Sequence, residues 1–101
     1  MQEKTIETKL KKCVEAIGCR CLKFVSPGFT GVPDRIILLP GGKVMFAELK
    51  APGKTERRRQ EYVQSILRNM GFIVFSSVNT DAQILEIVKK CKELTNDAER
   101  F

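Results

Sequence analysis

The chain has 101 residues, 43% of them hydrophobic and 30% charged, which supports one compact core and a composition ordinary for a globular domain. No stretch approaches the ~20 apolar residues that span a bilayer, and the polar first ten residues lack the apolar run of a secretory signal, so a cytoplasmic setting without a membrane partner is expected. Lys and Arg number 18 against 12 Asp and Glu, a net +6 with pI near 9.4; this suits a polyanionic partner, nucleic acid first, although such an excess also keeps small proteins soluble.

In chain order, Ile6, Leu10, Cys13, Val14 and Ile17 recur at helical spacing and predict a helix from Thr5 to Ile17, stopped by Gly18. Cys19 to Val25 reads as a strand, and the turn formers from Ser26 to Gly31 as a loop. Asp34 to Leu39 and Lys43 to Lys50 read as two strands joined by the tight turn Pro40-Gly41-Gly42. A helix is expected from about Thr55 to Met70, with Val63, Ile66, Leu67 and Met70 as its buried stripe and Gly71 as its end. Phe72 to Val78 is a fourth strand. Thr80-x-x-Gln83 resembles a capping box opening a last helix, with Ile84, Leu85, Val88 and Cys91 inward. The order is αβββαβα in one α/β domain over residues 1–94, followed by a polar tail, 95–101, expected to fray.

The four cysteines do not have the spacing of a zinc knuckle. Cys13 and Cys91 fall on apolar helix faces, and Cys19-x-Cys21 lies inside a strand, so all four read as reduced structural residues. The chain has no histidine, which removes the commonest general base and zinc ligand and leaves carboxylates, lysine and bound metal to build any chemistry.

The hairpin supplies such a set. A three-residue turn pairs Leu39 with Lys43 and, step by step, Asp34 with Glu48. Directly opposed side chains have Cβ atoms ~4.5–5.5 Å apart, so both carboxylates reach one divalent cation. Alternation puts Lys50 on the same face, where it can meet the attacking water or the charge developing on phosphorus. Mg²⁺ or Mn²⁺ suits this set of hard oxygen donors, and the set suits phosphodiester hydrolysis. Taken singly, each residue is more ordinarily a turn residue or an exposed strand-end pair; their joint placement carries the expectation. Lys54, Arg57, Arg58 and Arg59 stand beside the site as cations for a DNA backbone, at a helix start where positive charge opposes the helix dipole. Lys23 and Arg35 are further basic candidates.

The runs Gly31-Val32-Pro33-Asp34-Arg35 and Gly41 to Gly53, with Glu48-Leu49-Lys50 inside the second, resemble the core of the VRR-NUC family, the virus-type replication-repair nucleases of the PD-(D/E)XK superfamily. Ile6-Glu7, Ser26-Pro27-Gly28 and Gln60 followed by Gly71 extend the resemblance over nearly the whole chain. It implies a restriction-endonuclease-like fold, a mixed sheet flanked by helices, with Asp34, Glu48 and the Leu49 carbonyl as metal ligands and Lys50 as the catalytic lysine. It also places a first-helix glutamate near the metal. Glu3 and Glu7 border the apolar stripe while Glu15 points away, and Glu7 matches the family position. Gln60 matches a glutamine that approaches the catalytic centre. A solvated glutamate and a surface glutamine are the plain alternatives for these two.

The resemblance further implies an endonuclease acting on junction or branched DNA from replication and repair, similar to Holliday-junction resolvases, working as a homodimer in a bacterial or phage-infected cell without a small-molecule cofactor. A non-catalytic nucleic-acid-binding module that keeps the nuclease fold is the alternative, and the intact Asp34, Glu48 and Lys50 weigh against it.

Overall fold

A computed structural model describes residues 2–99, arranged as α1 (Glu3–Ala16), β1 (Arg20–Lys23), β2 (Arg35–Leu39), β3 (Lys43–Leu49), α2 (Arg58–Asn69), β4 (Ile73–Val78) and α3 (Asp81–Glu99). The order αβββαβα is the one expected. The sheet runs β1-β2-β3-β4, antiparallel across the first two pairs and parallel between β3 and β4, where α2 supplies the crossover. Among the described residues no helix is long and apolar enough to cross a membrane.

Helices α1 and α3 cover one face of the sheet. Ile6, Leu10 and Val14 of α1 and Ile84, Ile87 and Cys91 of α3 close over Ile37, Leu39, Met45, Ala47 and Leu49. Cys19, Cys21 and Cys91 are buried there as free thiols, and burial raises the Cys21 thiol to about 11 and the Cys91 thiol to about 12, so neither offers a thiolate at neutral pH. Helix α2 lies over β4 on the opposite face. Its Arg68 donates to the Val74 carbonyl and to Ser76 Oγ, and the Ser76 hydroxyl donates to buried Gln64.

Two expectations about helix faces are corrected. Met70 is 69% exposed and polar Gln64 takes the buried place beside Val63, because α2 meets a β4 surface that carries Ser76. Leu85 is 66% exposed while Ile87 is buried. Helix α3 runs to Glu99, into the stretch expected as a tail: no Gly or Pro interrupts it, Leu94 packs against the core, and the Leu94 carbonyl accepts a hydrogen bond from Lys43 Nζ at 3.2 Å. The rest of that tail, 100–101, lies outside the described residues.

The β2–β3 turn and the Gly31 loop together position the site. Gly41 and Gly42 both have positive φ, 90° and 78°, and the turn they make pairs Leu39 with Lys43, Ile36 with Phe46 and Arg35 with Ala47. Gly31 has φ +92°, and a Cβ there would stand 2.7 Å from Arg59 Cγ, 3.1 Å from the Arg59 carbonyl oxygen and 3.2 Å from Val63 Cγ2. The loop before β2 therefore packs directly on the start of α2. Gly31→Ala combines a disfavoured φ with this clash and is expected to cost ~1–3 kcal/mol, visible as a Tm several degrees lower in thermal denaturation.

Candidate active site

Asp34 immediately precedes β2 and Glu48 is the next-to-last residue of β3, so the observed register, extended one step, sets them opposite each other as the turn length predicts. They are locked reciprocally through backbone amides. The Asp34 N–H donates to Glu48 Oε2 at 2.8 Å, and the Leu49 N–H donates to Asp34 Oδ1 at 3.1 Å. Lys50 Nζ lies 3.4 Å from Glu48 Oε1. The predicted centre of Asp34, Glu48 and Lys50 is thus brought together.

Gln60 joins it, for a reason local to α2. Arg57 precedes the first turn of the helix, and its N–H donates to Gln60 Oε1 at 3.0 Å. That bond fixes the amide with its nitrogen toward β3, where Nε2 donates to Glu48 Oε1 at 2.6 Å. Asp34, Glu48 and Gln60 line one cleft of about 410 Å³ with Arg57, Arg59 and the Gly31 loop.

Both carboxyls resist ionisation. Burial, then the charge of Glu48, pushes Asp34 up to about 6, partly offset by the Leu49 N–H. Glu48, 4% exposed, is also raised by burial, against the lowering effects of the Asp34 N–H and Lys50. Two crowded carboxylates held by amides at fixed orientation fit a hard divalent cation, which binds one or two carboxylates plus substrate phosphate and keeps its remaining waters. Among the described residues no group of three or more His, Cys, Asp or Glu side chains is gathered for a metal.

Two expected site residues are placed elsewhere. Glu7 is not brought into the cleft: its Oε2 lies 2.7 Å from an Arg35 guanidinium nitrogen, and it lines a separate cleft with Lys11, Lys23 and Arg35. Arg35, expected to hold DNA, is 7% exposed, on the side of the sheet facing α1, with its guanidinium taken by Glu7 and by the Asp34 carbonyl at 3.1 Å. A buried, doubly engaged guanidinium does not reach a phosphate. Of the first-helix glutamates, Glu3 is the one whose charge raises Asp34. Lys23, Lys54, Arg57, Arg58 and Arg59 remain exposed.

Glu56 and Ser77 were not legible in the sequence as part of this site. Opposite Glu48 the β3–β4 register shifts, leaving an extra residue in β4, and Ser77 there has φ 49°. Glu56 Oε1 accepts from the Ser77 N–H at 2.8 Å and from its hydroxyl at 3.0 Å, holding that bulge, while its charge raises Glu48. A left-handed serine leaves no marker in the residue pattern as a glycine does.

The sheet topology defines a restriction-endonuclease-like α/β fold, with the cleft at one end of the β2–β3 hairpin. No family model matches the chain. A solved structure described as "VRR_NUC domain" superposes at a TM-score of 0.77 with 25% identity, over 86% of this chain and 94% of that one. Over 54 residues the chain is 52% identical to "Putative nuclease p44" of Acyrthosiphon pisum secondary endosymbiont phage 1; the match covers 54% of this chain and 58% of that protein, less than two thirds of its length. The chain is thus similar in fold to a VRR-NUC domain and, over about half of its length, in sequence to a phage protein described as a putative nuclease.

Proposed function

We propose that the chain is a Mg²⁺- or Mn²⁺-dependent DNA endonuclease that hydrolyses phosphodiester bonds in junction or branched DNA. The observation that carries this reading is the amide-locked pair Asp34 and Glu48, with Lys50 and Gln60 on one Glu48 oxygen, and with Asp34, Glu48 and Gln60 in one cleft rimmed by arginine. Asp34, Glu48 and the Leu49 carbonyl would hold the cation, which would supply Lewis acidity toward the phosphate oxygens. Lys50 places a positive charge beside the phosphorus as negative charge builds on its oxygens. Gln60, fixed by the Arg57 amide, orients water or a phosphate oxygen at the same edge. Arg57 and Arg58 hold the flanking backbone without reading sequence.

Paired incisions in a junction need two sites, which a homodimer supplies. Leu22 and Leu38, exposed on the outer face of β1 and β2, give a second copy an apolar surface to cover. A repair or replication role in the cytoplasm of a bacterial or phage-infected cell accords with the phage relative. The test is a panel of flap, splayed-arm, four-way junction and blunt duplex DNA incubated in Mg²⁺, Mn²⁺ or chelator. Metal-dependent cutting concentrated at the branched substrates is expected; binding without cutting under any divalent metal would instead make the chain a non-catalytic binding module.

A further inference from the structure

Beside the cleft, three side chains form a structure that phosphate binding does not need. Arg59 and Tyr62 lie one turn apart on α2, and Phe29 comes from the loop between β1 and β2. The Arg59 guanidinium carbon lies 4.7 Å from the Phe29 ring centroid and 5.4 Å from that of Tyr62. Its Nε donates to the Thr30 carbonyl at 3.0 Å, and its Cγ fills the space that Gly31 leaves open, so the guanidinium is held in place. Yet Phe29 is 41% and Tyr62 56% exposed, so neither ring serves the core. Arg59 also lines the cleft that holds Asp34 and Glu48, which makes the cluster continuous with it.

Exposed aromatic faces with a fixed guanidinium plane stack flat conjugated rings, and the neighbouring arginines draw a polyanion. A ligand with both properties is a nucleic-acid strand whose bases are free; in a duplex the base faces are already covered. We propose that Phe29, Arg59 and Tyr62 form a stacking platform for an unpaired nucleobase next to the phosphate presented to Asp34 and Glu48. The inference rests on reading the cleft as a nuclease site and narrows its substrate to DNA with an unpaired segment at the branch.

Tyr62 is the single tyrosine and the chain has no tryptophan, so its fluorescence reports this platform alone. The protein is titrated in chelator, where no cleavage is needed, with a single-stranded oligonucleotide, an abasic strand of the same length and a blunt duplex, with inner-filter correction. Strong quenching by the base-bearing strand and little by the other two is expected. Phe29→Ala is expected to weaken single-strand binding ~5- to ~150-fold and leave duplex binding unchanged, with Phe29→Tyr restoring it and circular dichroism confirming the fold. Equal quenching by the abasic strand, no quenching by the base-bearing strand, or unchanged single-strand affinity in Phe29→Ala overturns the platform. Normal cleavage without quenching overturns the platform alone; quenching without cleavage under any metal overturns the nuclease reading and leaves the platform standing.

Discussion

Replacing Glu48 by alanine is expected to slow phosphodiester cleavage by ~10²–10⁴-fold, because one side chain is both a proposed metal ligand and the anchor for its neighbours. Its two oxygens receive the Asp34 N–H, Gln60 Nε2 and the Lys50 ammonium, so truncation frees all three at once. Lys50→Ala, which removes only the positive charge, is expected to cost ~10²–10³-fold. Neither change fills or empties the main core, which lies on the other face under α1 and α3. Single-turnover cleavage of branched DNA, with Tm measured on the same proteins, separates lost chemistry from lost fold. Undiminished cleavage in either variant contradicts the assignment.

The second large effect is on stability and has a defined sign with pH. Asp34 holds its proton up to about pH 6 in the folded metal-free chain, against 3.8 for a free carboxyl, so folding is penalised once the group must ionise. That penalty is absent below pH 4, grows as pH rises through about 6, and is complete above it. Asp34→Asn keeps an oxygen to accept the Leu49 N–H and removes the charge. The variant is expected to match the wild type near pH 4 and to melt higher than it at pH 7.5 in chelator, while losing cleavage. Mn²⁺ is expected to raise the wild-type Tm more at pH 7.5 than at pH 5, where protons compete for the same oxygens, and to do little for the variant. A metal-free Asp34→Asn protein that melts below the wild type at pH 7.5 contradicts this.

The centre of the site was legible because two short-range rules determine it. A three-residue glycine turn sets the register, and strand alternation then fixes Asp34 opposite Glu48. Gln60 was legible as a position in the first turns of a helix, where its spacing from Arg57 lets it accept the free N–H at the helix start. Expectation and structure differ where tertiary partners choose between equivalent options. Helical phase puts Glu7 at the edge of the apolar stripe, but only the packing of α1 on β2 shows that Arg35 takes its carboxylate. The same packing removes Arg35 from the DNA-facing cations. Met70 and Leu85 continue an apolar pattern that the sheet does not reach, and Gln64 is buried because Ser76 meets it. The β4 bulge and its Glu56 clamp depend on a contact across 21 residues, with no local signature.

Anomalous diffraction from crystals equilibrated with Mn²⁺ tests the central claim most directly. The account predicts a peak ~2 Å from a carboxylate oxygen of both Asp34 and Glu48, absent from crystals of Glu48→Gln protein. A peak elsewhere on the chain, or none at this pair in crystals of protein that cleaves DNA in Mn²⁺, would contradict it.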